Sequence, residues 1–317
     1  MASPVAPGPV DPGRVAFLGP EGTFCEQALL TQDDLATGTL VPYETIPDAL
    51  AATIAGEVDL GFVPIENSIE GTVNVTLDVL AFEADLLIQR EVVLAIQLGL
   101  LVSSGVALSD VKKVVSFPVA SAQCRGFLAR ELPDAVVEAS SSTAEAARIL
   151  GQSHDPHTAA IGPLLAAEVY GLEVLAQDIE DHPENATRFV TVAREGIPAP
   201  TGHDKTSIVV FQRTNAPGTL LAILQEFAAR GIDLNKLESR PTKKGLGEYC
   251  FILDMEGHVG DEIVADCLRD LQLSKADVKL LGSYPAAGEQ APKRRRDAEE
   301  AWRQADAWIQ GLRSQIR

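Results

Sequence analysis

The sequence predicts an α/β protein with a larger first domain and a smaller α+β domain behind it. Short apolar runs alternate with amphipathic stretches from Arg14 to about residue 192, which argues a mainly parallel sheet with helices on both faces. Residues 195–205 (EGIPAPTGHDK) hold two Pro and two Gly without periodicity and read as a linker. Beyond them the order is strand, helix, strand, strand, helix, strand within about 80 residues, the split-βαβ, ferredoxin-like pattern. A chain of 317 residues exceeds the usual span of one core, which fits two domains and tails.

In chain order, RVAFL (14–18) is a β-branched and aromatic run ending at Gly19-Pro20, a buried strand. A helix opens near Gly22-Thr23 and carries Phe24, Ala28 and Leu29 on one face. Leu40–Val41 is a strand, and a helix after Thr45 sets Ile46, Leu50 and Ile54 at spacings of four. Residues 59–65 (DLGFVPI) form a strand, followed by a helix from about Gly71 with Val73, Leu77 and Leu80 aligned. The apolar stretch 86–102 is broken by Gln89, Arg90, Glu91 and Gln97, so it predicts buried strands and no membrane span. Strands at 113–116, 135–139, 158–162 and 172–176 then alternate with helices at 121–131, 143–151 and 163–170. The 143–151 helix starts at Ser142 or Thr143 and stops at Gly151. RFVTV (188–192) closes the region. The 180 or so residues form one unit or two smaller lobes, with 86–102 a natural crossing between lobes and 177–187 a natural return.

In the second domain TSIVVF (206–211) is a strand. The next helix follows Pro217-Gly218, buries Leu220, Leu221, Leu224 and Phe227, and stops at Gly231. A strand at 233–240, a turn at 243–245 and EYCFILD (248–254) make a hairpin. A helix with Ile263, Val264, Cys267, Leu268 and Leu271 and a strand at 278–284 complete the set. The tail carries a basic run, PKRRR (292–296), then a helical stretch with Trp302, Trp308 and Leu312. It is a solvated helix or one that docks on an acidic face.

Composition narrows the function classes. A net charge of −19 repels phosphate backbones and anionic membranes, so nucleic acid and membrane are poor partners. An anionic substrate therefore needs a locally positive site made of a few Arg side chains or backbone N–H groups. The four Cys form no CxxC pair and read as reduced thiols, with a cytoplasmic setting expected. His154 and His157 lie in SHDPH without other ligands, a solvated loop. The leader MASPVAPGPVDPG is Pro/Gly-rich and lacks the apolar core of a signal peptide; it reads as disordered. No P-loop, GxGxxG, Ser/His/Asp set or metal constellation occurs, so neither cofactor nor metal is expected.

Three loops that follow strands carry chemistry, as ligand loops of open α/β sheets do. In Gly19-Pro20-Glu21-Gly22-Thr23 the glycines offer N–H groups to an anion and Thr23 a hydroxyl or helix cap. In Pro64–Thr72 (PIENSIEGT), Glu66, Asn67 and Ser68 crowd one turn. They are a polar substrate site, with Glu66 orienting Asn67 and Ser68, or a capping cluster. In Asn185–Phe189 the strand opens with Arg188, a carboxylate clamp or a structural ion pair, beside the Thr187 hydroxyl. Ser116, Gln123 and Ser142-Thr143 are smaller candidates, each also read as a cap.

Together the loops resemble the prephenate dehydratase family. GPEGT is similar to its opening motif, PIENSIEGTV to its second, and Thr187-Arg188-Phe189 to the triplet of its catalytic threonine. The second domain resembles an ACT domain. Pro217-Gly218-Thr219-Leu220-Leu221 and Glu238-Ser239-Arg240-Pro241 are similar to its two effector motifs. The resemblance runs from about Arg14 to Tyr284. It implies a two-lobed catalytic domain of the periplasmic-binding-protein type II kind at 14–194, an ACT domain at 205–285, and tails at 1–13 and 286–317. It further implies conversion of prephenate to phenylpyruvate without a cofactor, and L-phenylalanine as effector at an interface of a homodimer or homotetramer. By the resemblance Thr187 sits at the leaving hydroxyl, and Asn67, Ser116 and Gln123 also match active-site positions and are expected to be catalytic; Thr23, Glu66, Ser68, Arg188 and Phe189 are expected to bind the substrate. Three departures bear on substrate preference: Cys25 where many members have Ser or Thr, Phe117 and Val119 in a stretch that often reads His-Pro-Gln, and Gln97 where a His is common. Arogenate, the amino analogue of prephenate, and a non-catalytic binding role are the alternatives.

Overall fold

A computed structural model describes residues 12–213, 216–243, 245, 247–288, 304 and 307–315. The basic run 292–296, Trp302 and nearly all of the leader lie outside these residues. By internal contacts the chain divides into two units. One holds the described residues up to Val79 together with Val92–Thr191; the other holds Leu80–Glu91 and the described residues from Val192 on.

The first unit has two lobes. In the first, β1 (Arg14–Leu18), α1 (Phe24–Leu30), α2 (Asp33–Ala36), β2 (Thr39–Tyr43), α3 (Ile46–Ala55), β3 (Leu60–Asn67), β4 (Gly71–Thr72) and α4 (Asn74–Asp78) follow in turn. The chain then runs through β5 (Leu87–Ala95) into β6 (Gly99–Val102) of the second lobe. That lobe adds β7 (Lys113–Ser116), α5 (Pro118–Gln123), α6 (Arg125–Glu131), β8 (Val136–Ala139), α7 (Thr143–Ser153), β9 (Thr158–Gly162), α8 (Leu164–Tyr170) and β10 (Glu173–Ala176). The chain returns to the first lobe as β11 (Ala186–Ala193).

The two sheets share one plan. The first lobe reads β2-β1-β3-β11-β5 and the second β8-β7-β9-β6-β10. In the first lobe β1 is flanked by β2 and β3, and in the second β7 by β8 and β9, all in parallel. This twice-crossed pair of sheets is the type II periplasmic-binding-protein arrangement that the resemblance implied. The expected parallel sheet is mixed in the second lobe, where β6 runs against β9 and β10. The reason is connectivity: β6 enters straight from the crossing, without the helix that a parallel return needs.

Local chemistry explains most boundaries. Thr23 caps α1 by accepting from Glu26 N, Thr45 caps α3 from Asp48 N, and Ser142 caps α7 from Glu145 N. The helix expected from Gly71 begins at Asn74, because Gly71 takes φ 80° in the two-residue strand β4, which folds back on Glu66 and Asn67. The helix expected over 121–131 starts at Pro118 and breaks at Cys124. Gly151 does not stop α7. It permits close approach to α8, since a Cβ there would stand 2.7 Å from the Tyr170 carbonyl oxygen; His154 ends the helix at φ 50°. Ile54 is exposed, and α3 buries Ile46, Ala49, Leu50, Ala52 and Thr53 instead.

The second unit contains β12 (Asp204–Gln212), α9 (Thr219–Arg230), β13 (Leu234–Pro241), β14 (Tyr249–Glu256), α10 (Glu262–Asp270) and β15 (Ala276–Pro285). The sheet order β13-β14-β12-β15 is the expected ferredoxin-like one, antiparallel at every pairing. Its core joins Ile208, Val210, Leu253 and Met255 to Ile223 and Phe227 of α9 and to Val264 and Cys267 of α10. Leu221, expected to be buried, is 61% exposed, and Ile223 takes the inward place. Residues 80–91 pack onto this sheet. Phe82 meets Phe211 edge-on at 6.2 Å, Lys279 donates to the Ala84 carbonyl at 2.6 Å, and Lys205 pairs with the buried Glu91 at 2.8 Å. The described part of the tail, 307–313, is helical with Trp308 and Leu312 exposed. Among the described residues no helix is long and apolar enough to cross a membrane.

Candidate active site

Between the lobes of the first unit lies a cleft of about 320 Å³. Leu18, Thr23, Phe24 and Cys25 approach it from β1 and α1, and Pro64, Asn67 and Glu70 from β3 and its turn. Ile96 and Leu98 come from the crossing, Phe117, Val119 and Gln123 from α5, Ser141–Thr143 from the start of α7, and Asn185, Thr187 and Phe189 from β11. All three loops singled out in the sequence reach it.

Asn67 stands at its centre. Its side-chain oxygen accepts from the backbone N–H of Ile69 and of Glu70, both at 2.9 Å. Because a backbone N–H only donates, these bonds fix which end of the amide is oxygen. The amide nitrogen therefore faces β11. It donates to Asn185 Oδ1 at 2.9 Å, to the Ala186 carbonyl at 3.2 Å and to Thr187 Oγ1 at 2.9 Å. Thr187 Oγ1 is thus an acceptor on its Asn67 side, and its own proton is left for the cleft. The ring of Phe189, two residues on, stacks on Phe62 with centroids 5.5 Å apart and planes 8° from parallel.

Gln123 reaches across from the second lobe. Its oxygen accepts from Asn185 Nδ2 at 2.8 Å, and its nitrogen lies 3.5 Å from the Glu70 carboxylate. Glu70 is the one charged side chain among the described lining residues. Neither Asn185 nor Glu70 is among the site residues that the sequence marks. Asn185 stands two residues before Thr187, immediately ahead of β11.

The remaining expected residues divide. Thr23 lines the cleft, but its hydroxyl donates to the Leu18 carbonyl at 2.9 Å while capping α1. Ser116 is fully buried and donates to the Ile161 carbonyl at 2.8 Å, away from the cleft. Ser68 staples the loop before β11, donating to the Glu184 carbonyl and accepting from Ala186 N at 2.9 Å. Arg188 is no cleft residue. Strand alternation turns it to the face opposite Thr187 and Phe189, where its guanidinium lies 3.3 Å from the Glu66 carboxylate. Glu66 is turned away from Asn67 for the same reason.

Of the departures, Cys25, Phe117 and Val119 line the cleft and Gln97 does not. The Cys25 thiol donates to the Phe62 carbonyl, and burial pushes its pKa up to about 12. Among the described residues no cluster of His, Cys, Asp and Glu could hold a metal ion.

In the second unit, Gly218, Thr219, Leu220 and Leu221 border a separate hollow of about 390 Å³ at the start of α9. Glu238–Pro241 do not border it; they lie on the edge strand β13. Ser239 and Pro241 face outward there, while Glu238 and Arg240 turn to the other side.

The family model for prephenate dehydratase matches residues 15–197, and that for the ACT domain matches 206–272. The prephenate dehydratase of Mycolicibacterium vanbaalenii is 42% identical over 317 residues, covering 94% of this chain and 98% of its own. The crystal structure of prephenate dehydratase from Arthrobacter aurescens, in complex with L-Phe, matches with a TM-score of 0.86 and 41% identity, over 95% of this chain and 99% of that one. A structure described as a quorum quenching acylase matches with a TM-score of 0.77 and 28% identity, over 89% and 100% of the two chains.

Proposed function

We propose how this chain, which belongs to the prephenate dehydratase family, carries out that family's reaction: Thr187 holds the ring hydroxyl of prephenate as it leaves. The C–C bond to the ring carboxylate breaks and its electron pair enters the ring, releasing carbon dioxide. The C–O bond to the hydroxyl breaks with its own pair. One proton is taken up, and the products are phenylpyruvate, carbon dioxide and water.

The observation that carries this reading is the fixed direction of the Asn67 amide. By donating to Thr187 Oγ1 at 2.9 Å, it turns the threonine proton toward the cleft. A threonine hydroxyl is a weak acid, so its work is to stabilise negative charge growing on the departing oxygen, as an oxyanion donor does. Phe189, stacked on Phe62 and packed in the core, shapes the apolar floor against which the ring lies. The two carboxylates find no Arg or Lys among the described lining residues. The N-terminus of the eleven-residue helix α7, with Ser141, Ser142 and Thr143, offers them N–H groups and a favourable dipole.

Residues 14–194 supply catalysis on this reading and 205–285 regulation. L-phenylalanine, the ligand of the Arthrobacter structure, is the effector. Among the described residues, 238–241 do not border the hollow formed at 218–221, and the exposed edge of β13 suits pairing with a second copy. A homodimer or homotetramer through these domains, working in the cytoplasm, fits both facts. An acylase reading lacks support in the cleft, because the neighbour of Thr187 Oγ1 is an amide N–H, which cannot take the proton from a nucleophile.

Phenylpyruvate formation from prephenate by the purified protein, with and without phenylalanine, tests the proposal. Turnover that changes with phenylalanine, and whose response weakens in Ser239→Ala, supports both assignments. Absence of turnover in folded protein, or faster conversion of arogenate, overturns the substrate.

A further inference from the structure

Four side chains in the cleft close a ring of hydrogen bonds in which every donor points the same way round. The Glu70 backbone N–H donates to Asn67 Oδ1 at 2.9 Å, and Asn67 Nδ2 donates to Asn185 Oδ1 at 2.9 Å. Asn185 Nδ2 donates to Gln123 Oε1 at 2.8 Å, and Gln123 Nε2 reaches the Glu70 carboxylate at 3.5 Å. The direction is set at two points that cannot be reversed: a backbone N–H at one end and a carboxylate at the other. The amides between have no freedom to flip without turning two donors or two acceptors against each other. Hydrogen bonds arranged head to tail polarise one another and strengthen together.

The ring has a branch at Asn67, whose nitrogen carries two protons and faces three acceptors: Asn185 Oδ1, the Ala186 carbonyl and Thr187 Oγ1. With one proton held by Asn185, the other remains for the pair formed by Ala186 and Thr187, and Thr187 is the nearer. Without Asn185, the N–H groups of Ile69 and Glu70 still hold the oxygen end, but the nitrogen loses one of its three acceptors and the amide plane is less firmly aimed at Thr187. Asn185 is also the joint between lobes. It is 1% exposed and belongs to the return segment of the first lobe, while Gln123 belongs to α5 of the second. The ring is therefore complete only when the lobes stand at this separation.

We propose that Asn185 is a positioning residue for the dehydration. It holds the Asn67 amide so that the Thr187 proton points into the cleft, and through Gln123 it makes that orientation depend on closure of the two lobes. The inference rests on the reading of Thr187 as the donor to the leaving hydroxyl. It assigns Asn185 no contact with the substrate, so its loss acts on kcat and leaves KM nearly unchanged.

Two variants separate polarity from packing. Asn185→Asp keeps an oxygen for Asn67 and, held neutral by burial, an O–H that donates to Gln123 Oε1 in place of the amide. Asn185→Leu offers Asn67 no acceptor. The expected result is a kcat for Asn185→Leu at least tenfold below wild type with KM within twofold, and a kcat for Asn185→Asp recovered to within a few fold. Asn185→Ala, read the same way, replaces the leucine variant if that does not fold. A merely structural role lowers the unfolding midpoint and leaves kcat per folded chain unchanged. A leucine variant with wild-type kcat, equal losses in the aspartate and leucine variants, or a loss confined to KM overturns the inference. Thr187→Val, measured in parallel, tells the two levels apart. If it is inactive while Asn185→Leu is fully active, the positioning role alone fails; if it is itself fully active, the reading of Thr187 fails and this inference with it.

Discussion

Strands β3 and β11 each present two faces, and the contrast between them organises the site. On the cleft side stand Asn67, Thr187 and Phe189; on the reverse, one residue away along each strand, stand Glu66 and Arg188. The cleft side is held by directed amide bonds that leave one hydroxyl proton to act. The reverse side is an ion pair with the arginine nearly buried, which holds the two strands in register and uses its charge internally. Neighbours in sequence thus have separate tasks, because successive side chains of a strand point to opposite faces. A chain as acidic as this one invites the reading that its strand-opening arginine clamps an anionic substrate. The strand period overrides that inference.

Breaking the cleft side has the largest expected effect. Thr187→Val keeps the shape of the side chain and removes the proton, so kcat should fall roughly 10²–10³-fold, the loss typical of one oxyanion donor. Asn67→Leu removes the group that directs that proton and strands the N–H groups of Ile69 and Glu70; kcat should fall roughly tenfold to a hundredfold, with some loss of stability. Breaking the reverse side works the other way. Arg188→Met leaves Glu66 without this partner, and because Glu66 is 36% exposed the cost should be about 1–3 kcal/mol, seen as a lower denaturation midpoint with kcat within a few fold.

Two smaller effects sharpen the contrast between buried and exposed positions. Burial pushes the thiols of Cys25, Cys124 and Cys267 up to about 12, so all three should resist iodoacetamide at pH 8 in the folded protein and react in urea, as peptide mass spectrometry would read. Burial also raises the Glu26 carboxyl, which accepts from Gly22 N. A folded pKa above the unfolded value gives a contribution to stability that is present at low pH and lost as pH rises through it. Glu26→Gln should therefore gain in melting temperature relative to wild type between pH 4 and pH 7. Ile54→Gln, on the exposed face of α3, should change stability by no more than about 0.5 kcal/mol.

The sequence was most legible where local chemistry decides. Strand–helix alternation, the caps at Thr23, Thr45 and Ser142, and Gly231 at the end of α9 all carry their own signals, and the family motifs pointed to Asn67, Gln123, Thr187 and Phe189, which meet in the cleft. What was missed depends on contacts between distant segments. Nothing local marks 80–91 as a strap on the second unit's sheet, since the partners Phe211, Lys279 and Lys205 lie far along the chain. Gly71 and Gly151 depart from their local signals in opposite directions: Gly71 holds a positive φ in a short hairpin where the sequence predicts a helix start, and Gly151 gives close helix contact where it predicts a stop. Ser116 matched a family position, yet its hydroxyl is spent on the Ile161 carbonyl.

The contrast between the two faces is tested most directly by preparing Thr187→Val and Arg188→Met side by side and measuring kcat for phenylpyruvate formation and the thermal midpoint of each. Crossed results are expected: Thr187→Val keeps its midpoint and loses turnover, while Arg188→Met keeps turnover and loses stability. Near wild-type turnover in Thr187→Val, or a collapse of turnover in a fully stable Arg188→Met, would contradict this contrast.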